Sequence, residues 1–231
     1  MDYKNIARNF DQYVTHTQSL WLLGYPALVN LLAPVEGKQG LDYGCGSGLM
    51  CRYLQSLGAV MTGVDISEEM IRVARDNGGE GLSFHHIRSG KVDLFPDSSM
   101  DFALSLFVLC EIGSQKEILS IMKEIYRILK PGGHYLIMNA NWDRSNGREF
   151  ISYKLEYNPD IVSGCRIKAI LKSDPPMIIE DFYWPKDEYL DLLQRAGFGI
   201  ETIEEPISIG DIPGLLDEKT HPPFLIILAK K

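Results

Sequence analysis

The stretch "LDYGCGSGLM", residues 41–50, sets Gly44, Gly46 and Gly48 on alternate positions, with Asp42 two residues ahead of the first. The residues leading in are apolar and strand-like, and "SGLMCRYLQSLG" behind them has helical periodicity ending at Gly58. The glycines therefore form a turn from a strand into a helix. A dinucleotide fingerprint is Gly-x-Gly-x-x-Gly, whose third glycine lets helix and strand approach; the spacing here is different. A carboxylate at the strand end repels a pyrophosphate placed over the turn and suits a ligand that carries an ammonium group. No Gly-Lys-Ser/Thr follows, so a nucleoside triphosphate lacks its lysine.

S-adenosylmethionine meets each of these conditions, having an adenosine without phosphate, a methionine zwitterion and a sulfonium. The next strand, "VMTGVDIS", ends at Asp65, about twenty residues beyond the turn, where a carboxylate can accept hydrogen bonds from both ribose hydroxyls.

The rest of the chain gives this turn a parallel sheet to sit on. "GLDYG", "AVMTGVD", "LSFHHIRS", "MDFALSLFV" and "GGHYLIMNA" read as buried strands. Between them lie helical patterns: "SEEMIRVARDNGG", opened by Ser67 and closed at Asn77-Gly78, and "SQKEILSIMKEIYRILKPGG", expected to stop at Pro131-Gly132. Strand alternating with helix implies a doubly wound α/β sheet with its ligand at the carboxyl ends of the strands. Ahead of the sheet, Tyr3, Ile6, Phe10, Tyr13 and Val14 recur at helical spacing, and "SLWLLGYPALVNLL" reads as a second, interrupted helix.

Composition narrows the setting. The chain of 231 residues is 45% hydrophobic and carries a formal charge of −8, which opposes a phosphate-rich nucleic-acid partner and favours a small-molecule acceptor. The longest N-terminal apolar run contains Gly24 and two prolines and has no basic flank, so neither a membrane span nor a signal peptide is expected and the protein reads as cytoplasmic. Cys45, Cys51, Cys110 and Cys165 form no CxxC, and His85-His86 lacks further ligands at metal spacing, so no metal site is expected.

Through "LDYGCGSG", "GVDISEEMI", "FPDSSMDFALSLFVLCEI" and "EIYRILKPGGHYLIM", the region from Gly40 to Met138 resembles the class I S-adenosylmethionine-dependent methyltransferases. The resemblance implies a seven-stranded sheet, mostly parallel, with helices on both faces. It also implies a final antiparallel strand, for which "PFLIILAKK" is the candidate, preceded by "FGIETIEEPIS". It places cofactor contacts at Asp42, Tyr43, Gly44, Cys45 and Gly46 around the methionine part, Asp65 on the ribose, Ile66 on the adenine and Phe107 near the methionine end. Where the family commonly has an acidic residue for the adenine amino group, this chain has Ser89-Gly90; Ser89 or backbone around Gly90 is the expected replacement, with Asp93 as the alternative. Glu111 follows the fourth strand and can act on the acceptor as a base, or cap the helix that begins near Ser114.

One domain spanning residues 1–231 is expected: helical cover 1–36, cofactor core 37–140, insertion 141–185, and last helix with C-terminal strands 186–231. In the insertion, "RIKAILK" and "MIIEDFYW" alternate as a hairpin, joined by a turn at "SDPP". Cover and insertion are expected to roof the site, with Tyr3, Tyr13, Asn139, Tyr153 and Tyr183 as acceptor-side candidates; filling a packed seam is the competing use of these aromatics. The expected reaction is in-line methyl transfer from S-adenosylmethionine to an N, O or C nucleophile of a small molecule, leaving S-adenosylhomocysteine. The alternatives are a peptide methyltransferase and a non-catalytic cofactor-binding or regulatory protein on the same fold.

Overall fold

The structure is a computed structural model that describes residues 7–210 and 212–231, with no side-chain description for Ala7 and Arg8; Tyr3 and Ile6 lie outside the described residues. Five strands follow the expected runs: β1 (Gln39–Tyr43), β2 (Val60–Asp65), β3 (Ser83–His86), β4 (Met100–Leu106) and β5 (Leu129–Ala140). Near the C-terminus come β9 (Gly199–Glu204) and β10 (Phe224–Lys230), and the seven form one sheet in the order β3-β2-β1-β4-β5-β10-β9. All neighbours from β3 through β5 pair in parallel, whereas β10 runs antiparallel to both β5 and β9.

Alternation explains why both faces of this sheet are covered. In β10, Phe224, Ile226 and Leu228 join one buried cluster, while Leu225, Ile227 and Ala229 join the other. A strand with period-two geometry and no polar face must be sandwiched. On one side lie α5 (Gln115–Ile128) and α7 (Lys186–Ala196), whose Ile121, Ile125, Leu192 and Leu193 are fully or almost fully buried. On the other lie α3 (Leu49–Ser56) and the N-terminal elements: α1 (Ala7–His16), a π-helical turn at Leu20–Gly24, and α2 (Tyr25–Leu32). Helix α4 (Glu68–Asn77) has Ser67 as N-cap, its side chain accepting from the Met70 amide, and touches α1.

Two expectations on elements need correction, and a third gains a strand. Helix α5 stops at Ile128 instead of reaching Pro131-Gly132, because Leu129 is already extended (φ −69°, ψ 140°) and pairs with Met100. The residue before a proline is biased the same way, so Lys130 continues the strand. Strand β3 covers only the first part of "LSFHHIRS". In the insertion the expected hairpin forms between β7 (Arg166–Leu171) and β8 (Met177–Phe182), and an additional strand, β6 (Tyr153–Leu155), pairs with β7 to make a three-stranded sheet. The third strand escapes a pattern search because three residues are too few for alternation to show. Among the described residues no helix is long and apolar enough to cross a membrane.

Candidate active site

The chain leaves β1 outward to β2 and β3, then returns to lay β4 on the other side of β1. That reversal opens a crevice at the carboxyl ends of β1 and β4, the place where open α/β sheets bind ligands. Into it the glycine turn projects. Its amides at Gly44 and Cys45 both donate to the Val64 carbonyl, at 2.7 and 3.0 Å, which ties the turn to the end of β2. Gly44 (φ +81°) has no room for a side chain, since a Cβ there meets Val108 Cγ2 at 2.2 Å. Gly46 (φ +52°) is the opposite case, with no described residue within 4 Å of a would-be Cβ. The Gly46 backbone is thus open to whatever fills the crevice.

That crevice is a cavity of about 770 Å³, within the roughly 300–1,000 Å³ usual for small-molecule sites. Asp42, Tyr43, Gly44, Cys45, Gly46, Asp65, Ile66, Ser89 and Phe107 all line it. Asp42 is only 2% exposed; burial raises its pKa to about 7, nearby Asp65 adds to the rise, and the Cys51 thiol, donating to Oδ2 at 3.6 Å, opposes it. Asp65 accepts from the Gly46 amide on Oδ2 (2.9 Å) and from the Ser67 amide on Oδ1 (2.8 Å). Each carboxylate oxygen has a second lone pair, so two hydroxyls can still be accepted. Burial raises the Asp65 pKa, against the pull of those amides and of His86. Ile66 keeps 61% of its surface exposed at the rim, a flat apolar contact of the kind a base stacks on. Phe107 sits just past β4 in left-handed backbone (φ +57°), a strained position of the kind that collects at functional sites, and its ring meets Phe224 edge-on.

The residues expected at the adenine end are placed differently from one another. Ser89 lines the cavity and donates to Glu117 Oε1 at 2.6 Å, but Gly90 does not line it, and its amide is taken by the Tyr43 hydroxyl (2.9 Å). Asp93 is exposed and outside the wall. Beside Ser89 the wall also carries the Glu117 carboxylate. Sequence reasoning missed it because Ser114-x-x-Glu117 reads as a helix start, and indeed the Ser114 side chain accepts from the Glu117 amide. Ser114 thereby does the capping considered for Glu111, which ends a short 3-10 turn (Leu109–Glu111) and lines the cavity.

The far end is built from separate pieces of chain. Tyr13 and Tyr153 both line it, with their hydroxyls held by main-chain carbonyls: Tyr13 donates to Ser152 (2.8 Å), Tyr153 to Pro223 (2.7 Å). Asn139 and Tyr183 are not in this wall. They line a neighbouring void of about 20 Å³, and the Tyr183 hydroxyl is bound to Asp143. Asp181, unanticipated, belongs to both walls. A signal existed: Met177, Ile179 and Asp181 share one face of β8, and a carboxylate closes an otherwise apolar inward row.

Residues 41–137 match the model of a family described as a methyltransferase domain. Over 215 residues the chain is 30% identical to N-demethylindolmycin N-methyltransferase from Streptomyces griseus, covering 89% of this chain and 88% of that protein. The chain belongs to the class I S-adenosylmethionine-dependent methyltransferases. This methyltransferase is also 31% identical over 181 residues to demethylmenaquinone methyltransferase from Tropheryma whipplei, covering 74% and 71% of the two chains. An S-adenosylmethionine dependent methyltransferase from Mesorhizobium loti shares its fold at a TM-score of 0.69 and 25% identity, over 90% of this chain and 97% of that one. The family cofactor fits the residues present: an open backbone cradle at Gly46, a buried carboxyl at Asp42, and spare acceptor capacity on Asp65.

Proposed function

We propose that this methyltransferase methylates a nitrogen atom of a small, largely apolar molecule. The observation that carries the reading is that the cofactor residues and the aromatic far end share one cavity, from Asp42 and Asp65 to Tyr13 and Tyr153. A cavity walled by both α1 and the three-stranded sheet suits a small molecule better than a polypeptide or a nucleic acid. The choice of nitrogen is supported by the N-methyltransferase from Streptomyces griseus, which aligns over most of both chains.

When bound, S-adenosylmethionine supplies a methyl group on a cationic sulfur that departs as a neutral thioether. In our reading Asp65 holds the ribose, Asp42 faces the ammonium group, and Ile66 with the Ser89–Glu117 pair receives the adenine. The remaining task is alignment in a dry site. Tyr13, Tyr153 and Phe224 supply apolar walls for it, and the two phenol tethers fix helix and insertion relative to the sheet. We assign α1 and the insertion as the cover of this site.

The test is transfer of isotope-labelled methyl from S-adenosylmethionine to a panel of small amines, alcohols, phenols and peptides that includes N-demethylindolmycin, read by mass spectrometry. Label on nitrogen of small molecules is expected. Label on oxygen or carbon alone, or on peptides alone, would overturn the reading.

A further inference from the structure

Beside the main cavity lies the void of about 20 Å³, and their shared wall contains Asp181. Buried polar atoms normally have partners. Here Asp181 Oδ1, both side-chain polar atoms of Asn139 and Nδ2 of Asn141 have none among the described residues, and all three residues line the same void. A void of this size holds one water, which needs two to four polar neighbours. On the other side, Asp181 borders the acceptor end of the large cavity together with Glu111, because β8 packs against the 3-10 turn that carries Glu111.

We propose that Asp181 is the acid–base residue of the reaction, binding the nitrogen of a basic amine and taking its proton, with one internal water shared by Asn139 and Asn141 holding it from behind. This rests on the methyltransferase reading above and names the acceptor class within it. A basic amine arrives as an ammonium, which has no lone pair for attack. One N–H bond must break, its electron pair staying on nitrogen and its proton passing to the Asp181 carboxylate. Nitrogen then forms the bond to the methyl carbon as the carbon–sulfur bond breaks, with that pair leaving on sulfur. Charge balances: ammonium, carboxylate and sulfonium become methylated ammonium, neutral carboxylic acid and thioether.

The surroundings suit both halves of that task. Burial and the facing Glu111 raise the Asp181 pKa to about 7, while the Cys110 thiol opposes the rise. Cys110 itself, its pKa raised by burial and by Asp181, keeps its proton and so acts as a donor. Two carboxyl groups at one end of an apolar cavity select a cation over a neutral isostere, and the aromatic walls add attraction for it.

The test uses the whole protein saturated with S-adenosylhomocysteine and a panel of arylalkyl amines, beginning with phenethylamine and tryptamine, each paired with its alcohol. Calorimetry on the wild type should show the preferred amine binding at least about tenfold tighter than its alcohol, the scale of one charge-assisted bond. Asp181→Asn should erase most of that preference while retaining S-adenosylhomocysteine affinity, and Asp181→Glu should restore part of it. An unchanged preference in Asp181→Asn, or a wild type that binds the cofactor product but prefers alcohols, would overturn the assignment of Asp181 alone. A wild type that fails to bind S-adenosylhomocysteine at all would sink the reading beneath it as well.

Discussion

The two ends of the cavity, one proposed for the cofactor and the other for the acceptor, are built on different principles. At the cofactor end, Asp42, Gly44, Gly46 and Asp65 come from two adjacent parallel strands and the turn after one of them, and the sheet register fixes them: Asp42 opposite Gly63, Asp65 opposite His86. At the acceptor end, Tyr13, Glu111, Tyr153 and Asp181 come from four distant segments held together by side-chain-to-carbonyl tethers and by packing. Backbone geometry positions the first group and side-chain geometry the second. The first end should therefore be intolerant of small backbone changes, and the second tolerant in stability yet sensitive in turnover.

The largest effect is expected at the cofactor end. Gly44→Val combines a left-handed φ with a collision against Val108, and we expect a loss of about 3–5 kcal/mol in unfolding free energy, measured by denaturant titration. A loss below about 1 kcal/mol would show that the turn is looser than its ties to Val64 imply. Next, Asp65→Ala would remove the acceptor that we propose for both ribose hydroxyls, and calorimetry should show S-adenosylhomocysteine affinity falling by about 2–4 kcal/mol. Unchanged affinity in the folded variant would mean that another residue holds the ribose.

A smaller effect concerns pH. Asp42 has its pKa raised to about 7 in the free protein, above the unfolded value near 4, so its contribution to stability is full below about pH 4 and is lost as pH rises through about 7. An ammonium partner needs the carboxylate, so binding at pH 6 should release a proton. S-adenosylhomocysteine affinity should fall by up to about tenfold per unit below pH 7, and Asp42→Asn should flatten the profile. A flat wild-type profile from pH 5 to 7 would remove Asp42 from the ammonium. The smallest effect belongs to the acceptor end: Tyr13→Phe deletes one hydrogen bond to Ser152 and should cost about 1 kcal/mol of stability, lower turnover, and leave cofactor affinity alone. Equal losses at both ends would erase the distinction.

The same contrast decides what could be read from sequence. That Asp42, Gly44, Gly46, Asp65 and Phe107 line one cavity was legible because strand order and a short turn convert sequence spacing into spatial placement. Of the acceptor-side candidates, Tyr13 and Tyr153 line the same cavity, while Asn139 and Tyr183 line the smaller void next door. Glu117 was hidden inside a helix-start motif. Asp181 stood on a recognised strand, yet its place beside Glu111 depends on how β8 packs against a turn about seventy residues earlier, a tertiary fact that no local pattern encodes.

The most direct test of this division is a crystal structure of the enzyme with S-adenosylhomocysteine. Our account predicts the ribose hydroxyls on Asp65, the ammonium group beside Asp42, the adenine between Ile66 and Ser89, and the thioether sulfur turned toward Phe107, Glu111 and Asp181. Adenosine lodged instead among Tyr13, Tyr153 and Asp181, with Asp65 turned away from it, would contradict the account.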